Sequence, residues 1–282
     1  DARKSYEDAL EINSRYVPAL VGIARITGDE RALQRAIAVN PNSAPAMETY
    51  GQLLLINDRE AEALRYFAEV RGINPEALKT LSTLAAQAAL EERTSDYDAL
   101  LAQVDSFSPN NSIFLTDIAD SLGRNYRFDE AVGFAREAIE ADPQNWQAYT
   151  VLGSNLIRLG EEEEGKANLE IGFDNDPFNV MTSNMLKVFD TLATYERVES
   201  EHFIVQMSEH DVDILWPYLE PLLEEAWTTL SGKYGYEPED KVLIEVFDKT
   251  EDFAVRSVGL PDIGPLVGIC FGKVITLISP DT

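Results

Sequence analysis

The chain has little of what a disulfide-framed, metal-binding or nucleic-acid-binding protein needs. Of its 282 residues one is cysteine, Cys270, and two are histidine, His202 and His210. One cysteine excludes a disulfide framework and leaves the redox compartment open. Cys270 lies in an apolar strand-like run and reads as a small core residue. The histidines fall on and just after another such run, and neither has a helical partner at i+4, so no paired face meets a metal. Glu209-His210-Asp211 with Asp213 reads as an acidic helix start rather than a ligand set. There is no P-loop, no G-x-G-x-x-G, no G-x-S-x-G and no C-x-x-C, hence no phosphate cradle, nucleophile elbow or redox pair. Positive charge is scarce as well: 23 Lys and Arg stand against 50 Asp and Glu, a net charge of −27. Residues 198–282 hold 5 of the basic and 17 of the acidic groups. Such a balance repels phosphate backbones and anionic membranes and argues against nucleic acid as a partner. No apolar run approaches the roughly 18 residues that cross a bilayer. With 45% apolar residues the chain reads as soluble and long enough to bury a sizeable core.

What is present is a ladder of prolines. Pro41, Pro75, Pro109, Pro143 and Pro177 stand 34 residues apart, each after Asn, Ser or Asp at the end of a helix-like run. Proline cannot continue a helix and pushes the residue before it out of helical dihedrals, so each marks a stop. A period of 34 is the mark of stacked helix–turn–helix units. With each proline set at position 32, position 8 is small (Gly51, Ala85, Ala119, Gly153) and position 7 is large (Tyr50, Leu84, Ile118, Leu152). Ala63 and Val70, then Ala131 and Ala138, fill positions 20 and 27, where paired helices cross closely.

These residues resemble the tetratricopeptide repeat family over residues 1 to about 177. The fold class expected is mostly α: a helix–turn–helix superhelical solenoid over residues 1–197, followed by a small α+β domain over 198–282. The repeats divide as a partial unit at 1–13, a short one at 14–43, and units at 44–77, 78–111, 112–145 and 146–179. The chain opens in mid-pattern, so its natural start is expected upstream, with cytoplasm and periplasm both left open. Helices are expected over 16–27 and 30–39, with a compact turn over 123–128. Tyr97 takes a place where the pattern wants a small residue, which predicts a splayed pair. Gly165 and Gly172 replace Ala at about 1 kcal/mol of helix propensity each. The acidic run 161–164 reads as a solvated helix start at the positive end of the dipole. Residues 178–197 read as a terminal helix with Met181, Met185, Val188 and Leu192 on one stripe.

From about residue 200 the pattern changes. Strands are expected over 202–207, 241–247, 267–271 and 274–279, with Gly272-Lys273 as a two-residue hairpin turn. Ser208-x-x-Asp211 reads as a helix entry, and Pro221 inside the apolar run after it predicts a kink or a later start. A short helix is expected over 251–258. This part resembles the beginning of a thermolysin-like zinc peptidase domain of the gluzincin type. The resemblance rests on strand 202–207, the helix ending Lys233-Tyr234-Gly235-Tyr236, strand 242–247 and the hairpin from Gly268 to Gly272. It implies an H-E-x-x-H helix beyond residue 282, so no zinc ligand can be assigned here, and it implies that 274–279 edges a substrate cleft.

Two functions follow. The first is a protein- or peptide-binding scaffold. The tetratricopeptide resemblance puts Glu48, Gln52, Ser82, Thr116, Asp120, Thr150 and Ser154 in the groove, with Arg124 and Arg158 adding positive charge. The family's clamp for acidic tails, Lys at position 5 and Asn at position 9, is missing. The acidity of the chain then predicts a neutral or basic segment as ligand. The alternative is the N-terminal portion of a zinc metallopeptidase. In either case no cofactor, no bound zinc and no activity are expected of residues 1–282 themselves; zinc would belong to the longer parent.

Overall fold

The computed structural model describes residues 2–280. Asp1, which the expected first partial repeat includes, and Asp281 and Thr282 lie outside the described residues. Twelve helices come first among them: α1 (Ala2–Ile12), α2 (Val17–Thr27), α3 (Glu30–Val39), α4 (Ala44–Ile56), α5 (Glu60–Ile73), α6 (Leu78–Leu90), α7 (Thr94–Phe107), α8 (Ser112–Arg124), α9 (Phe128–Ala141), α10 (Trp146–Leu159), α11 (Glu162–Asn175) and α12 (Val180–Leu192). Each proline of the ladder sits just beyond a helix end, as its missing N–H and fixed φ require. Side-chain caps open several helices: Asp29 accepts from Arg31 N at 2.9 Å, Asn145 from Ala148 N at 3.3 Å and Asn179 from Thr182 N at 3.1 Å.

The turn inside each helix pair repeats as strictly as the prolines. Asp58, Glu92, Tyr126 and Gly160 stand 34 residues apart and all adopt the left-handed region, at φ 56°, 57°, 63° and 85°. Three of the four carry a side chain in a conformation that favours glycine.

Contacts divide the chain into two compact units, Asp1–Ile118 and Ala119–Thr282. The core of the first packs Leu20, Leu33, Tyr50, Leu54 and Phe67 between successive helices. Fully burying a side chain of this size contributes about 1.5–3 kcal/mol. Within this unit α7 buries Val104 alone, whereas α5 buries Ala63, Phe67 and Val70.

In the second unit α10 and α11 cross so closely that a Cβ on Gly153 would meet the Gly165 carbonyl at 2.6 Å. The glycines that weaken α11 by propensity are what lets the two backbones approach. The chain then forms β1 (Glu196–Glu199), β2 (Phe203–Met207), α13 (Glu209–Tyr234), β3 (Val242–Phe247), α14 (Thr250–Val258), β4 (Gly268–Phe271) and β5 (Val274–Ile278). The sheet order is β1-β2-β3-β5-β4, with β2, β3 and β5 parallel and the outer strands antiparallel. One face packs Val205, Met207, Ile244 and Val246 against Leu215, Leu219, Leu223 and Trp227 of α13. Elsewhere in this unit Phe247, Phe253 and Val255 cluster with Val188, Phe189 and Leu192 of α12.

Four expectations change here. Residues 196 and 197, expected in the terminal helix, instead open strand β1, because Val198 and its neighbours find the open edge of β2. Residues 274–279, expected at an edge, form an inner strand paired on both sides, and β4 is the edge instead. Cys270 on that edge strand is therefore exposed rather than core. Finally, α13 does not start late at Pro221: it runs 26 residues, with Pro217 and Pro221 inside it. Ser208 opens it, its hydroxyl accepting from Asp211 N at 3.2 Å.

Candidate functional site

Of the nine groove residues the repeat pattern singles out, four lie in the first unit and are hydrogen-bonded within the fold. Glu48 accepts from Thr80 Oγ1 at 2.9 Å, and Gln52 donates to Thr83 Oγ1 at 3.2 Å. Ser82 is buried and donates to Asp117 at 2.7 Å, and Asp117 also pairs with Lys79 at 2.7 Å. Thr116 is buried and donates to the Ser112 carbonyl. Glu48, Gln52 and Ser82 thus tie one repeat to the next, whereas the Thr116 bond lies within α8.

The other five, Asp120, Arg124, Thr150, Ser154 and Arg158, come together in the second unit around a pocket of about 420 Å³. That volume is in the range of small-ligand and peptide side-chain sites. One wall is the end of α8 and the exposed face of α10. The opposite wall is Asn179, Met181, Thr182 and Met185 from the start of α12, with Arg256 to Gly259 from the end of α14. Periodicity indicated the first wall; the second comes from more distant sequence and was missed. Gln147 and Ser154 have no hydrogen-bond partner among the described residues and are free to meet a ligand. Asn155 is buried in the same wall; its Nδ2 donates to Val151 O at 2.7 Å and its Oδ1 has no partner.

Arg158 lies among aromatic rings at one side of the pocket. Its guanidinium lies 5.4 Å from the ring centres of both Phe128 and Phe271, within cation–π range of each. Phe271 in turn stacks on Tyr126 at 5.9 Å. The backbone beneath is pinned as well. Lys273 N donates to the Arg158 carbonyl at 3.0 Å, satisfying one of the orphan carbonyls of the α10 terminus. Gly272 makes that approach feasible, since φ is 60° and a Cβ would lie 2.3 Å from the same oxygen. Burial holds the Arg158 pKa below the usual range, and the like charge of Arg256 pushes the same way.

Arg256 is buried and reaches Glu245 at 2.8 Å and Glu162 at 4.0 Å. Two carboxylates thus share one guanidinium, and Glu162, expected as part of a solvated helix start, faces inward. Glu245 is fully buried. Its pKa is pushed up to about 8 by desolvation, which exceeds the pull of Arg256, with Glu162 adding repulsion. The Glu245 oxygen nearest Arg256 is close yet misaligned for a hydrogen bond, and one oxygen of Glu162 is also unpartnered.

A second group of polar side chains lies at the β1–β2 turn. Donor atoms of Glu201, His202 and Glu224 fall within 4.8 Å of one another. Glu224, however, already accepts from Ser200 Oγ at 2.5 Å, His202 N at 3.0 Å and His202 Nδ1 at 2.6 Å. These bonds lower its pKa to about 2, the His202 bond contributing most. The His202 ring stacks on Trp227 at 4.2 Å. Glu224 reads as a brace from α13 to the turn, with its oxygens committed to protein donors, and the group does not fit the open geometry of a catalytic metal.

No family model matches the chain. A TPR repeat-containing thioredoxin, TTL4 of Arabidopsis thaliana, is 24% identical over 159 residues, which is 54% of this chain and 23% of that protein. A Protein SGT1 homolog of Oryza sativa subsp. japonica is 29% identical over 126 residues, 45% of this chain and 33% of that protein. The chain thus matches a third or less of the length of these relatives. Among solved structures, yeast Tom70 aligns with 68% of this chain and 42% of its own at a TM-score of 0.52 and 19% identity. By its helix pairs and this likeness, the chain has the fold of a tetratricopeptide-repeat protein, with a small mixed sheet toward its C-terminal end.

Proposed function

We propose that the chain is a protein-interaction module that holds an extended peptide segment of a partner in the pocket between α10 and α12. One observation carries this reading. The groove positions of the second unit open onto a walled cavity, and the polar groups of Gln147 and Ser154 are unspent. Asp120, Arg124, Thr150, Ser154 and Arg158 are the contact residues, while Glu48, Gln52 and Ser82 hold repeats together. Stacked repeats bind extended ligands on such helix faces. The partner is a protein or peptide rather than nucleic acid, since the net charge of −27 repels phosphate backbones. The module needs no cofactor.

A peptidase-related role for the C-terminal part has no comparable support. It would need residues 274–279 free at an edge to receive substrate, and β5 is paired on both sides.

The test is to pan the full chain against a random decapeptide library and map the best binder by hydrogen exchange. Protection is expected in α10 and α12. Protection confined to other elements, or no enriched binder, overturns the proposal.

A further inference from the structure

The pocket holds an unbalanced charge. The Arg158 guanidinium carries five N–H donors, yet its one hydrogen bond among the described residues goes to the Gly123 carbonyl at 3.4 Å. No carboxylate lies within 4.0 Å of it there. The acidic groups nearby are committed elsewhere: Asp120 pairs with Arg124 at 2.8 Å, and Glu245 pairs with Arg256. A partly buried guanidinium stays charged, and leaving such a charge without a counter-ion is costly. Phe128 and Phe271 each lie 5.4 Å from the group, and the N–H edge of the guanidinium has no acceptor among the described residues beyond the Gly123 carbonyl. That edge matches a planar oxyanion through two parallel hydrogen bonds.

We infer that the pocket receives a carboxylate of the bound segment, held by the edge of the Arg158 guanidinium. The inference rests on the proposed peptide-binding role of this pocket and names the chemistry the pocket selects. It departs from the neutral or basic ligand that the net charge suggests, because the local balance at Arg158 is positive although the chain is not. A carboxylate monoanion fits better than a phosphate near −2, since every added negative charge is repelled by the rest of the chain. The carboxylate is either the chain terminus of the segment or an Asp or Glu side chain within it.

Peptides selected on the full chain from a random heptapeptide library with free C-termini test this. Each is remade with an amidated C-terminus and, separately, with its Asp and Glu changed to Asn and Gln. One of the two changes is expected to raise Kd at least about tenfold, and which one does identifies the source of the carboxylate. In Arg158→Gln that penalty is expected to shrink to within about twofold. In Arg158→Lys, which keeps the charge and loses the fork, an intermediate penalty is expected, and this variant decides the matter if Arg158→Gln does not fold. Either of two results overturns the inference while leaving peptide binding intact: both changes are tolerated by the wild type, or the full penalty persists in the Arg158 variants. Failure to select any peptide removes the binding role itself, and the inference with it.

Discussion

The backbone N–H of Lys273 donates to the carbonyl of Arg158 at 3.0 Å, so the turn of the β4–β5 hairpin closes the end of α10. The residues are 115 apart in sequence, and the bond joins β4–β5 to the helix that carries Thr150, Ser154 and Arg158.

Gly272 is the residue that permits this contact. Gly272→Ala adds a Cβ 2.3 Å from the Arg158 oxygen and places an L-residue at φ 60°. The conformational cost alone is about 1–2 kcal/mol. Urea unfolding is expected to show a loss at least that large, and a loss below about 0.5 kcal/mol would mean that the turn is not held against α10.

Tyr126 pays the same conformational cost and recovers it through its ring. It sits at φ 63° and stacks on Phe271. Tyr126→Ala keeps the strained backbone and loses the ring, whereas Tyr126→Gly loses the ring and relieves the strain. The glycine variant is expected to be the more stable of the two by about 1 kcal/mol. Equal stabilities in a thermal melt would contradict this.

Glu245 sets a pH dependence. Its folded pKa of about 8 lies above the 4.5 of an ordinary glutamate, so the folded chain binds more protons than the unfolded one between those values. Stability is then greatest below about 4.5 as far as this group is concerned, and is lost as pH rises through about 8. Glu245→Gln is expected to flatten that fall in urea midpoints measured from pH 6 to 9. The same slope in variant and wild type would show that Glu245 is already ionised in the folded chain.

Much of the fold was legible because it is local. The proline ladder and small residues at position 8 mark where helices end and cross, and residues 30–39 form a helix over the range their pattern indicates. The hairpin turn is equally local: Gly272-Lys273 links Phe271 to the paired Val274, with positive φ at the glycine. Strand β1 was hidden because three of its four residues, Glu196, Arg197 and Glu199, are charged and it has no apolar alternation to show. The site was half legible. Helical period locates Thr150, Ser154 and Arg158 on one face, but the opposite wall brings in Met181 and Gly259 from outside the repeat pattern. No spacing rule links Arg158 to Phe271 or Arg256 to Glu162, since tertiary packing alone makes these neighbours.

Ser154→Trp offers the most direct measurement. Ser154 lies partly exposed on the pocket wall without a hydrogen-bond partner among the described residues, so an indole there fills the cavity and removes no contact of the fold. Titration of selected peptides into wild type and variant by calorimetry is expected to show a rise in Kd of at least about tenfold with an unchanged thermal midpoint. An affinity within about twofold of wild type would place the binding site elsewhere on the chain.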